Sequence, residues 1–149
     1  MGEFELKGFL NYLGNSSFNT LSERIIIQKK IYLLQRFGLD LGYSFDWYHY
    51  GPYSSALSKD VFNMGPVDSS SIELTESQGT SLVRFSNFLG DEKNDLRFLE
   101  LSGSLVFIKE KNPFSNDAFI FERLLFLKPH FSSEEINSAW NRIREFKIV

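Results

Sequence analysis

Apolar residues recur along this chain at helical spacing more often than at strand spacing. Phe4, Leu6, Phe9, Leu10 and Leu13 form one stripe, which predicts a first helix over 3–13 stopped by Gly14-Asn15. The next helix is better marked. Thr20-x-x-Glu23 is a capping box, in which the Thr oxygen and the Glu carboxylate each take a backbone N–H that the helix start leaves unpaired. The helix then runs over 25–37 to Gly38, a glycine C-cap. Ile26, Ile27, Ile31, Leu33, Leu34 and Phe37 cover more than one stripe, so this helix is expected at the centre of the fold.

The period changes over 43–50, an aromatic run that is the best strand candidate. Gly51-Pro52 is expected to turn the chain, and Ser54 or Ser55 to cap a short helix ending near Met64 before Gly65-Pro66. Residues 65–79 read as a loop with one strand or a small hairpin around Val67, Ile72 and Leu74. Helices follow over 81–89 and, capped by Asp91, to about Lys111. Ser102-Gly103-Ser104 lies within the second of these. Glycine there costs about 1 kcal/mol relative to alanine, which suggests a close helix crossing. A helix over 117–127 ends before Pro129. The last begins at the capping box Ser132-x-x-Glu135, with Phe131 and Ile136 at the positions of a hydrophobic staple and Ile136, Trp140 and Ile143 on its buried face. The expected fold is mainly α (α+β): residues 1–149 as one compact helical domain with a short strand or hairpin. Ile27, Ile31, Leu34 and Trp140 are expected in its core. The helix–strand–turn–helix–strand order of the N-terminal half also allows a winged-helix-like arrangement.

Composition narrows the function classes. The chain has 149 residues and no cysteine, so disulfides, thiolate metal sites and cysteine nucleophiles are excluded. The acidic start and the lack of any apolar run near the ~20 residues of a membrane span point to a cytoplasmic protein with no membrane partner. Net charge is −3, with six acidic and six basic residues over 1–65 and thirteen and ten over 66–149. Neither half is the basic field of a dedicated nucleic-acid binder. The 16 Phe, 6 Tyr and 2 Trp must mostly be core, because one domain cannot expose that many rings without a sticky patch.

Catalytic signals are sparse. His49 lies three residues after Asp46 in the expected strand, so the two point to opposite faces. His130 reads as a turn residue before the last helix. Ser54 and Ser55 lie near His49, but capping accounts for them without a triad. Asp91-Glu92 and Glu134-Glu135 suit helix N-termini, where the macrodipole favours negative charge. No phosphate loop or dinucleotide fingerprint appears, and neither a metal site nor a cofactor is expected. Arg24, Lys29, Lys30 and Arg36 form the densest basic group, read as a solvated helix face or as a contact for phosphate or an acidic partner.

Two stretches carry a family resemblance. Gln28-Lys29-Lys30-Ile31-Tyr32-Leu33-Leu34 precedes Phe45-Asp46-Trp47-Tyr48-His49-Tyr50-Gly51-Pro52-Tyr53-Ser54. This pairing of a "QK-x-x-Y-L" helix with a "WY-x-YGPYS" turn resembles the uncharacterised YwgA-like family of bacteria and archaea. Leu127-Lys128-Pro129-His130-Phe131-Ser132, followed by Ala139-Trp140, looks similar to the same family. The chain is also distantly similar to the Panacea domain of SocA-like antitoxins, which the resemblance associates with toxin neutralisation and proteolytic adaptor roles. Tyr53 stands where Panacea domains usually carry an aliphatic residue, so the YwgA-like pattern is the nearer one. That family brings no established activity.

The leading expectation is a non-catalytic protein-interaction or regulatory module, antitoxin-like or associated with mobile elements. Its partner-binding residues would be Tyr48, Tyr50, Gly51, Pro52 and Tyr53, with Lys29 and Lys30 steering an acidic partner. The partner would be a protein, and homodimerisation stays open. The alternative is a winged-helix-like DNA-binding regulator. Its recognition helix over 54–64 has Lys59 offset by Asp60 and no arginine to read guanine. The third reading is an enzyme of unrecognised type built on His49 and nearby hydroxyls.

Overall fold

Short polar side chains mark where the helices begin. Thr20, Ser54, Thr75, Asp95, Asn116 and Ser132 each accept a hydrogen bond from the backbone N–H three residues on. Each thereby satisfies a donor that the first helical turn cannot pair internally. A computed structural model describes residues 3–15, 17–65, 67 and 73–149. Among them are seven α-helices: α1 (Glu3–Tyr12), α2 (Leu21–Arg36), α3 (Ser55–Asn63), α4 (Glu76–Leu89), α5 (Leu96–Lys111), α6 (Asp117–Leu127) and α7 (Ser133–Glu145). The strands β1 (Asp46–Tyr48) and β2 (Gly51–Tyr53) form an antiparallel hairpin between α2 and α3, pairing Asp46 with Tyr53, Trp47 with Pro52 and Tyr48 with Gly51. The protein is thus a mainly helical fold with a small hairpin. No described helix is long and apolar enough to cross a membrane.

Two helices form the axis. In α2 every residue from Ile27 to Leu34 is buried, and in α5 every residue from Leu101 to Ile108. A helix buried on all sides must be surrounded by other elements, and here α2 and α5 pack on each other while α4, α6, α7 and the hairpin surround them. One contiguous apolar cluster draws on all seven helices and contains Ile27, Ile31, Leu34 and Trp140, as expected. Tyr32 spans the α2–α5 contact. Its ring meets Phe107 at 6.0 Å, and its hydroxyl donates to Glu110 at 2.6 Å.

Several boundaries differ from the sequence reading. The strand expected over 43–50 narrows to three residues. Gly51-Pro52 does not turn the chain but forms most of β2, and the turn falls at His49-Tyr50. Proline is tolerated because the partner strand is the only one present, so its missing N–H breaks no second ladder. Of the segment 65–79, in which a strand or hairpin is expected, residues 66 and 68–72 lie outside the described residues; Gly65, Val67 and residues 73–75 carry no strand, and α4 begins at Glu76. Helix α4 starts at Glu76, ahead of the expected 81, because Thr75 and Gln78 form a capping box that Ser77, Gly79 and Thr80 obscure in the pattern. Asp95 caps α5, while Asp91 lies in a single 3₁₀ turn over Gly90–Glu92.

Ile31 has no exposed surface and lies midway along α2. Ile31→Ala is expected to lower unfolding free energy by about 2–5 kcal/mol, measured by chemical denaturation.

Candidate binding cleft

Strands of three residues do not hold a hairpin in place by themselves. Helix α2 does so with polar side chains set into its apolar surface. Gln35 accepts from the Tyr43 N–H and donates to the Tyr43 carbonyl, both at 3.0 Å. Two turns earlier, Gln28 accepts from the Ser54 N–H at 2.8 Å and donates to the Ser54 carbonyl at 2.9 Å. Each amide imitates one rung of a β-ladder, and together they fix both ends of the segment 43–54. Between them Lys29 Nζ donates to the Pro52 carbonyl at 2.6 Å. The sequence marks Gln28 only as part of the QK-x-x-Y-L pattern and does not mark Gln35. Their i, i+7 spacing on one face of an otherwise apolar helix was the available signal.

The far side of the hairpin rests on α5 and the end of α6. Lys128 Nζ donates to the His49 carbonyl at 2.8 Å, pairs with Glu100 at 3.0 Å and lies 5.5 Å from the centre of the Trp47 ring. Gly51 adopts φ +93°, a conformation that side chains with a Cβ rarely take. A methyl group there would also lie 2.6 Å from Ser104 Oγ. Gly103, which the sequence marked for a close crossing, does face Lys29 and Pro52, but a methyl group on it would meet them at 3.8–3.9 Å, an ordinary contact. The tight approach is the hairpin against α5 at Gly51.

The hairpin so placed walls a cleft of about 590 Å³ against α2 and α3, within the size range of small-ligand and side-chain pockets. Ile25, Ile27 and Val61 form its apolar base, and Tyr48, Tyr50, Leu21 and Phe62 stand exposed around it. Phe62 is 87% exposed. Tyr48 and Tyr53 meet edge to face at 4.9 Å. The basic groups among the described residues of the lining are Arg24, Lys29 and His49, and these residues include no carboxylate. Arg24 is oriented by the Phe18 and Asn19 carbonyls, at 3.3 and 3.0 Å.

The structure separates the seven residues proposed as a partner contact. Tyr48 and Tyr50 are exposed at the cleft and Tyr53 is half-buried in it. Gly51 and Pro52 are buried, so they shape the wall and offer no contact area. Lys29 and Lys30 are buried as well, which corrects both their solvated-face and their steering roles. Lys30 Nζ is surrounded by oxygen acceptors: the Leu13 carbonyl at 3.3 Å, Asn15 Oδ1 at 2.8 Å and Asn94 Oδ1 at 3.0 Å. Arg24 and Arg36 alone of that basic group are solvated, and Arg36 pairs with Glu110 at 3.1 Å.

Burial changes the chemistry of the two lysines. Desolvation pulls Lys29 down to about 7, against a smaller upward pull from Glu100 and with a downward push from Lys128. Desolvation, assisted by Lys93, brings Lys30 to about 8. The remaining candidates do not converge. No hydrogen bond among the described residues joins the His49 imidazole to a hydroxyl or carboxylate. His130 lies 3.5 Å from Glu100 on the surface. No group of three potential metal ligands occurs among the described residues. On α3, Lys59 is exposed but Asp60 beside it accepts from the Tyr43 hydroxyl at 2.7 Å, so the helix presents no basic face to DNA.

Compared with known protein families, with curated proteins and with solved structures, the chain gives no match in any of the three.

Two outcomes test this arrangement. Gln28→Met keeps side-chain bulk but leaves the Ser54 N–H unpaired, while the Ser54 carbonyl keeps the Ser58 N–H at 3.1 Å. The unpaired donor costs about 1–3 kcal/mol, and the denaturation midpoint should fall accordingly. The second outcome is a pH dependence. The Lys29 amine of the folded chain loses its proton near pH 7, whereas that of the unfolded chain keeps it up to about 10.5. Between those values unfolding takes up a proton, so stability rises with pH. Lys30 acts in the same direction from about 8 upward. Denaturation free energy should therefore increase from about pH 7 to about pH 9, and Lys29→Met should reduce that slope without abolishing the part due to Lys30.

Proposed function

We propose that the protein is a non-catalytic interaction module whose cleft between α2, α3 and the hairpin receives an apolar segment of a partner protein that carries an acidic group. The observation that carries this reading is the cleft itself, apolar at its base and ringed by exposed Tyr48, Tyr50, Leu21 and Phe62. Tyrosines supply contact area with a hydrogen-bonding tip and few rotatable bonds, which suits recognition surfaces. The hairpin wall is fixed beforehand by Gln28, Lys29 and Gln35, so little ordering accompanies binding. Arg24 and His49, with no carboxylate among the described residues of the lining, favour an acidic group on the occupant.

The resemblance to YwgA-like and antitoxin-like sequences agrees with a regulatory role in the cytoplasm, in which the occupant belongs to a protein that is restrained or delivered. Catalysis is not needed to account for any residue of the cleft. The tyrosines are contact groups, Ser54 is a helix cap, and His49 lies on an exposed turn.

Site-specific photocrosslinking in the native host tests the proposal. A photoreactive phenylalanine analogue in place of Phe62 should capture a defined protein, whereas the same group in place of exposed Val83 on α4 should not. With that protein purified, Phe62→Ala and Tyr50→Ala should each weaken binding by more than about 1 kcal/mol. Both should leave stability within about 0.5 kcal/mol of the parent, as is usual for surface positions. Equal crosslinking from both positions, or full affinity in both alanine variants, would count against the cleft.

A further inference from the structure

The most apolar helix of the fold is also one of the least covered. Of the eleven residues in α6, DAFIFERLLFL, only Ile120 and Leu124 are buried. Phe126 is 76% exposed, Phe119 and Leu125 stand partly in solvent, and Phe114 just before the helix is fully exposed. Single exposed apolar side chains are ordinary, but a group of this size on one helix marks an interaction surface.

The order of residues on that surface says what covers it. Phe119, Glu122, Arg123 and Phe126 follow one another at i, i+3, i+4 and i+7, so they share one face. The sequence of that face is apolar, acidic, basic, apolar, and it is symmetrical about the midpoint between Glu122 and Arg123. Among the described residues Glu122 has no ion-pair or hydrogen-bond partner, and Arg123 meets only the Phe126 ring, at 5.5 Å. A surface that is complementary to itself in this way suits an isologous two-fold contact, in which each copy presents the same patch to the other.

We infer that α6 is a homodimerisation helix that pairs antiparallel with α6 of a second copy of this chain. A two-fold axis through the midpoint places Phe119 against the partner's Phe126, and Glu122 against the partner's Arg123, each contact occurring twice. Parallel pairing would instead set Glu122 near the partner's Glu122 and Arg123 near the partner's Arg123, so the charges select the antiparallel arrangement. One helix pair is small beside the ~800 Å² per partner of a standard interface, so the dimer should dissociate on dilution. This inference does not depend on the proposed role of the cleft.

Sedimentation equilibrium of the full chain over micromolar to millimolar concentrations tests it, with circular dichroism as a check on folding. The parent protein is expected to dimerise reversibly. Glu122→Arg and Arg123→Glu, each of which sets like charges opposite one another, should weaken association at least tenfold while leaving the melting curve unchanged. An equimolar mixture of these two variants should recover association as a heterodimer, and the double variant Glu122→Arg/Arg123→Glu should recover it as a homodimer. Phe126→Glu should be monomeric throughout. A parent protein that stays monomeric at every concentration overturns the inference. So does a dimer indifferent to the single charge reversals or to Phe126→Glu, and so does a mixture that fails to restore association.

Discussion

The structure turns on polar side chains placed inside one of its two central buried helices. Gln28, Lys29 and Gln35 rise from α2 where an apolar surface is otherwise continuous, and each engages main-chain atoms of the segment 43–54. A hairpin of two three-residue strands has no stability to spare. Its position is therefore set by α2, and so is the outer wall of the cleft. An apolar residue at 35 would pack in the same space and leave both Tyr43 backbone groups without partners, and one at 28 would strand the Ser54 N–H. Burial of an amide is tolerated here because both its donor and its acceptor are used.

The lysines extend the same logic at higher stakes. An ammonium group removed from water needs several acceptors or the loss of its charge. Lys30 takes the first route, with three oxygens arranged around Nζ from the α1 exit and from Asn94. Lys29 has one close acceptor, the Pro52 carbonyl, and desolvation moves it toward neutrality. Adjacent residues of identical type thus have different surroundings. Lys30 ties the end of α1 and the loop before α5 to the central helix, and Lys29 ties the hairpin to it.

What the sequence disclosed follows from the range of the interactions involved. Helix starts at Thr20 and Ser132 were legible because their capping boxes lie within four residues. The buried faces of α2 and α7 were legible from periodicity. The tyrosines near the cleft stand out in the sequence as aromatics beside Gly51-Pro52, and the structure leaves Tyr48 and Tyr50 exposed. Phe62 and Leu21 were not singled out, because an apolar residue on a helix is normally assigned to the core. The burial of Lys29 and Lys30 was illegible for the opposite reason. Lysine is rarely buried, and its acceptors at positions 13, 15, 52 and 94 lie too far along the chain to be paired with it by inspection.

Chain separation also gives the hairpin its place in time. Gln28 meets Ser54 across 26 residues, and Lys128 meets His49 across 79. Helices of this length form in about a microsecond or less, whereas contacts between distant segments wait on the closure of long loops. The contacts that seat the hairpin are of the second kind, since they need α2 and Lys128 in place on either side of it. The same dependence runs in reverse. Loosening of either flank removes hydrogen bonds from the hairpin without touching the α2–α5 contact, so the tyrosine wall depends on both flanks at once.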